Sequence, residues 1–95
     1  LVNNGMYGTI RMHQEREYPT RTAGTLLHNP DFPALARAYG YVGERITRTE
    51  EFEPALLAAL ERSEGTLIEV VLDPEVITTR GTLSAITQGA LQKQR

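Results

Sequence analysis

The chain has no cysteine, which removes disulfides and thiolate chemistry from consideration. That composition fits a reducing compartment, and a cytoplasmic location is the expectation. No apolar run is long enough to cross a membrane, and no charged-then-apolar secretory pattern opens the chain. No strong charge of either sign is present. The net charge of −2 over 95 residues gives no reason to expect nucleic acid or an anionic membrane as a partner. There is one local asymmetry of charge: Thr78 to Arg95 carries Arg80, Lys93 and Arg95 without a carboxylate, a pattern read first as a solvated tail.

The remaining composition is that of an ordinary globular domain, with 40% hydrophobic and 23% charged residues. Ninety-five residues make one small domain or a piece of a larger one. The opening Leu1-Val2 runs straight into Asn3-Asn4, like the last residues of a strand. The expectation is therefore a fragment of a longer polypeptide.

Periodicity divides the rest. Asn3 to Gly8 is dense in turn formers. Gly8 to Glu17 has no breaker, and Arg11 and Glu15 stand four apart, as in a helical ion pair. Its apolar residues form no clean stripe, so this helix is expected to border a site or another chain. Tyr18 to Leu27 reads as loop. A helix near 31–39 follows, capped by Asn29 or Asp31, with Pro30 suited to its first turn and Gly40 to the left-handed position after its end. Phe32, Leu35, Ala36 and Tyr39 would share its apolar face.

A strand is expected near 41–47, then a helix near 50–62 with Thr49 as cap and Phe52, Ala55, Leu56, Ala59 and Leu60 as its stripe. Leu67 to Leu72 is almost continuously apolar, as in a strand covered on both faces. Strand, helix and strand with short connections predict parallel neighbours. Leu1-Val2 would add a third strand, and Leu83 to Leu91 a last helix. The fold class is thus α/β: a partial open parallel sheet with flanking helices. The domain reading assigns 1–77 to the α/β domain and 78–95 to a C-terminal tail, helical in part.

In open parallel sheets ligands bind beyond the carboxyl ends of the strands. Asn3-Asn4-Gly5-Met6-Tyr7-Gly8 occupies such an end and leads into a helix N-terminus, where backbone amides and the helix dipole receive phosphate. Asn carboxamides and backbone carbonyls are hard ligands suited to Mg²⁺ or Ca²⁺. By spacing alone the same residues make a common structural turn.

A resemblance adds to this. Val2-Asn3-Asn4-Gly5-Met6-Tyr7-Gly8-Thr9-Ile10 resembles the end of the thiamine diphosphate motif, which starts with Gly-Asp-Gly and closes with Asn-Asn. Asn29-Pro30-Asp31-Phe32 through Ala38-Tyr39-Gly40 is similar to the segment that follows in acetolactate synthase-like enzymes, and Thr66 to Pro74 resembles their final strand. The resemblance implies the C-terminal part of a thiamine diphosphate-binding domain. It implies Mg²⁺ held by the Asn4 side chain and the Met6 carbonyl, with Asn3, Gly5, Tyr7 and Gly8 completing the cofactor-binding turn. Ile10, Met12 and His13 would fall on the stretch facing thiazolium and substrate. For His13 a solvated helix position is the competing reading, and Arg11, Arg16 and Arg21 are expected to pair with Glu15 and Glu17 rather than with substrate. His28 has no functional case.

The Gly-Asp-Gly half, the pyrimidine-binding domain with its cofactor-activating Glu, and the Pro-Met ending of many acetolactate synthases do not occur in these residues. The first expectation is therefore part of a thiamine diphosphate- and Mg²⁺-dependent lyase or transferase acting on 2-keto acids. It would work with the remainder of its polypeptide, as a homo-oligomer, and the 95-residue chain alone would be inactive. The second is a non-catalytic α/β fragment or assembly module with a structural turn.

Overall fold

The computed structural model describes residues 1–94; Arg95, the last basic residue of the tail, lies outside them. The chain divides into two compact units. One comprises Leu1–Asn3 and Asn29–Leu72, the other Asn4–His28 and Asp73 onward.

The first unit is a parallel sheet of β1 (Val2–Asn3), β2 (Val42–Ile46) and β3 (Thr66–Val71), in the order β1-β3-β2. β2 pairs in parallel with β3 from Val42 opposite Thr66 to Ile46 opposite Val70, and β1 adds Val2 opposite Val70. The expected α/β class and parallel pair are therefore found, with the last strand in the middle.

Helix α2 (Phe32–Ala38) begins at Asp31, whose carboxylate accepts from the Ala34 amide at 3.2 Å. Pro33, rather than Pro30, lies in its first turn. Its end is a Schellman motif: the Gly40 amide reaches the Arg37 carbonyl and the Tyr41 amide that of Ala36, each at 3.0 Å. That closure needs the left-handed Gly40, at φ 85°. At Gly43 a Cβ would stand 2.3 Å from the Pro33 carbonyl oxygen. The missing side chain lets α2 settle onto β2 along Pro33 and Ala36, both buried. Leu35 and Tyr39, expected on that face, are turned outward and exposed.

Helix α3 (Phe52–Glu61) follows a 3₁₀ turn at Thr49–Glu51. Thr49 is not the cap. The Glu51 carboxylate takes the Thr47 and Arg48 amides at 3.1 and 2.9 Å, and those bonds hold its pKa below the ordinary range. The apolar stripe exists, yet α3 has no buried residue: Phe52, Leu56, Leu57 and Leu60 are exposed. β3 is likewise not covered on both faces, since Val71 and Leu72 are exposed while Glu69 is buried.

The second unit packs α1 (Gly8–Glu17) against α4 (Leu83–Lys93). Thr82 caps α4 by accepting from the Ala85 amide at 3.1 Å, and Leu83 and Ala90 are its buried residues. An antiparallel hairpin of β4 (Val76–Thr78) and β5 (Gly81–Thr82) leads into it.

Candidate functional site

The turn after β1 is built in the second unit. The Asn4 side-chain oxygen accepts from the Met6 amide at 3.3 Å, the Asx arrangement by which asparagine stands in for a turn carbonyl. Gly5 supplies the left-handed backbone, at φ 74°. The turn is then pinned to residues 25–27: the Tyr7 amide donates to the Thr25 carbonyl at 2.8 Å and the Leu27 amide to the Gly5 carbonyl at 2.9 Å. These two bonds flank the antiparallel Met6–Leu26 bridge and draw on neither the amide nor the carbonyl of Met6.

Gly8 is the close-approach position. A Cβ there would lie 2.9 Å from the Asn4 Nδ2 and 2.9 Å from the Ile77 Cδ1, so the Asn4 carboxamide lies where a larger residue would intrude. α1 starts here, with its first ladder bond from the Arg11 amide to the Tyr7 carbonyl at 2.9 Å. Tyr7 gives it no side-chain cap, so its first-turn amides keep their capacity to donate to an anion.

The donor set suits a hard cation. An amide oxygen has two lone pairs, and the Met6 amide engages one on Asn4. The Met6 carbonyl adds a second oxygen. Among the described residues no three His, Cys, Asp or Glu converge, so these two oxygens would leave most of a Mg²⁺ shell to other ligands.

Asn3, expected in the same cofactor turn, engages both ends of its side chain within the first unit. Its Nδ2 donates to Glu69 at 2.8 Å, and its Oδ1 accepts from Asn29 at 2.9 Å. Glu69 also accepts from the Arg45 Nε at 2.6 Å, and Arg45 reaches Asp31 at 2.9 Å. Enclosure pushes the Glu69 pKa up, but the Asn3 amide and the Arg45 guanidinium outweigh it and hold the carboxyl below its ordinary range. The sequence reading missed this network. Its one signal was an acid inside the apolar run Leu67 to Leu72.

On α1, Ile10 and His13 stand three apart on an exposed face, whereas Met12 is half-buried. At 100° per residue Met12 points away from Ile10, so the helix does not gather the three on one face. The Arg11–Glu15 pair is present at 3.1 Å. Glu15 is no surface partner, however: it is 4% exposed and also accepts from the Thr20 amide and the Thr87 hydroxyl, at 3.0 and 2.9 Å. Enclosure raises its pKa less than those bonds and Arg11 lower it.

Residues 1–70 match the family model for the thiamine pyrophosphate enzyme C-terminal TPP binding domain. The acetolactate synthase large subunit of Parasynechococcus marenigrum is 40% identical over 72 residues, 74% of this chain and 12% of that protein. The large subunit from Corynebacterium glutamicum is 39% identical over 66 residues, 64% of this chain and 10% of its own length. The isozyme 2 large subunit of Escherichia coli is 36% identical over 74 residues, 77% of this chain and 14% of its length. The chain thus spans about an eighth of these relatives. It belongs to the family of thiamine pyrophosphate enzyme C-terminal TPP-binding domains.

Proposed function

We propose that this chain supplies the metal–diphosphate turn of a thiamine diphosphate- and Mg²⁺-dependent enzyme acting on 2-keto acids, by cleavage or formation of a carbon–carbon bond. The observation that carries the reading is the Asn4 carboxamide fixed by the Met6 amide beside Gly8, at the start of a helix without a side-chain cap. Family membership and the acetolactate synthase relatives support the cofactor and the substrate class.

Each residue then has a physical task. Asn4, through its side-chain oxygen, and Met6, through its carbonyl, hold the cation. Gly5 and Gly8 keep Cβ atoms out of the diphosphate's approach, and the first-turn amides of α1 donate to its oxygens. Asn3 stays in the sheet, where Glu69 and Asn29 fix it, and so anchors the strand from which the turn departs. Tyr7 lends its backbone to the turn, and Ile10 and His13 offer one exposed helix face to thiazolium and substrate, while Met12 lies off that face. When bound, thiamine diphosphate supplies the nucleophilic carbon and the electron sink for the bond change. The remaining metal ligands, the cofactor-activating carboxylate and the keto acid pocket come from the rest of a longer, cytoplasmic, homo-oligomeric enzyme.

The test uses that longer enzyme and the 95-residue chain in parallel. Asn4→Ala in the enzyme is expected to weaken cofactor binding by about a hundredfold, the upper end for a lost metal-site interaction, while its thermal midpoint stays within a few degrees. The 95-residue chain, with two metal oxygens, is expected to bind thiamine diphosphate no more tightly with saturating Mg²⁺ than without it. An Asn4→Ala enzyme with undiminished cofactor affinity would overturn the role of the turn and favour a purely structural one.

A further inference from the structure

A second groove in the Asn4–His28 and Asp73-onward unit uses none of the residues of the turn. It is formed by two adjoining clefts of about 210 and 220 Å³ that share Arg16, Ala85 and Ile86. Arg80 and Thr78 line one cleft; Gly89 and Lys93 line the other. No carboxylate lines either. Among the described residues Arg16, Arg80 and Lys93 form none of the ion pairs of the molecule, and residues 78–94 contain no acid. The acids nearest in sequence do not cancel this charge. Glu15 faces Arg11, Thr20 and Thr87. Glu75 is taken up by the Ser84 amide and hydroxyl. Glu17 follows Arg16 but projects a further 100° around α1.

The floor of the groove is open as well as uncrowded by acids. Gly89 lies inside α4, where glycine costs about 1 kcal/mol against alanine. No packing requires it there, because a Cβ at Gly89 would meet nothing within 4 Å. α4 therefore presents bare backbone to this groove at Gly89. Thr78 adds a donor: its hydroxyl oxygen accepts from the Arg80 amide at 3.3 Å, which leaves its own hydrogen to give.

We propose that this groove binds an oligophosphate or a phosphate ester, with anionic oxygens held by Arg16, Arg80 and Lys93 and the body of the ligand lying over Gly89. Two arginine forks and one ammonium suit phosphate oxygens, which accept paired N–H donors. The site is separate from the Asn4 turn and needs no metal, so it stands or falls apart from the reading of that turn.

The test titrates the 95-residue chain calorimetrically with inorganic phosphate, pyrophosphate and tripolyphosphate in magnesium-free buffer at low salt. Affinity is expected to rise with each added phosphate. Arg16→Ala with Arg80→Ala should lose about a hundredfold, at roughly tenfold per charge-assisted contact. Arg21→Ala with Arg37→Ala, equal in charge but outside the groove, should bind as the parent chain does. Gly89→Ala separates binding from folding, because it should raise the thermal midpoint and yet weaken tripolyphosphate binding several-fold. No binding of tripolyphosphate, an equal loss in the Arg21/Arg37 control, or undiminished affinity in Gly89→Ala would each overturn the proposal.

Discussion

Among the described residues, Glu69 and Glu15 are the two enclosed carboxylates, one in each unit, 2% and 4% exposed. Glu69 is satisfied entirely by side chains from neighbouring strands, Asn3 on β1 and Arg45 on β2. It therefore ties three strands into one register. Glu15 is satisfied locally, by Arg11 one turn back, by the Thr20 amide five residues on, and by one distant hydroxyl, that of Thr87. It holds a loop in shape, including the left-handed Thr20 at φ 64°. An acid whose partners are distant in sequence is a tertiary constraint; one whose partners are near mainly closes a helix end.

The difference sets the size of the expected effects. Glu69→Ala strips partners from Asn3 and from Arg45, and removing one member of an enclosed ionic network costs about 3 kcal/mol or more when burial is complete. The Arg45 side chain is 44% exposed, so water compensates in part and the expected loss is about 2 kcal/mol in urea unfolding. Glu15→Ala should cost about 1 kcal/mol, because the Arg11 and Thr87 side chains can turn to water once the carboxylate is gone. The largest effect of Glu15→Ala should be faster proteolysis within residues 18–24. If Glu15→Ala proves the more destabilising of the two, the distinction between tertiary and local acids fails.

Acid should act on both residues with the same sign. Each has its folded pKa below the ordinary value, so each binds its proton more weakly folded than unfolded. Their stabilisation is fully present above the unfolded carboxylate range, around pH 4.5, and is lost as pH falls through the lowered folded values. Urea midpoints should therefore be flat from pH 7 to pH 5 and decline below it. Glu69→Gln should flatten that decline more than Glu15→Gln does. An unchanged decline in both variants would place the acid sensitivity elsewhere.

These contrasts mark what the sequence could convey. The parallel pair and the end of α2 were legible because each rests on local chemistry: apolar runs of strand length, and a glycine where only a left-handed residue closes the helix. The Asn-Asn turn was legible as a motif, and the Asn4–Met6 bond follows from asparagine's habit of bonding two residues on. Glu69 was not legible as a hub, since its partners lie 24 and 66 residues away and nothing nearby announces them. Position β3 between β1 and β2, and the hairpin at Val76–Thr82, depend on the same long-range pairing. The opposite error occurred on α3. Its stripe has helical period, but period shows only which face is apolar, not whether anything in the chain covers it.

The exposed leucines of α3 carry the smallest expected effect on stability. Leu57 and Leu60 are 55% and 73% exposed. A buried leucine truncated to alanine costs about 2 to 5 kcal/mol, whereas surface changes usually stay within about 0.5 kcal/mol. Leu57→Gln with Leu60→Gln should therefore leave the urea midpoint of the chain almost unchanged. Exposed apolar patches and open sheet edges invite association, so the parent chain is expected to self-associate in sedimentation equilibrium and the double variant to do so less. The two measurements separate the alternatives. A midpoint lowered by 2 kcal/mol or more would show that the leucines are packed within the chain. Unaltered association with an unaltered midpoint would shift the sticky surface to the β1 edge, where Leu1 and Val2 are 50% and 69% exposed.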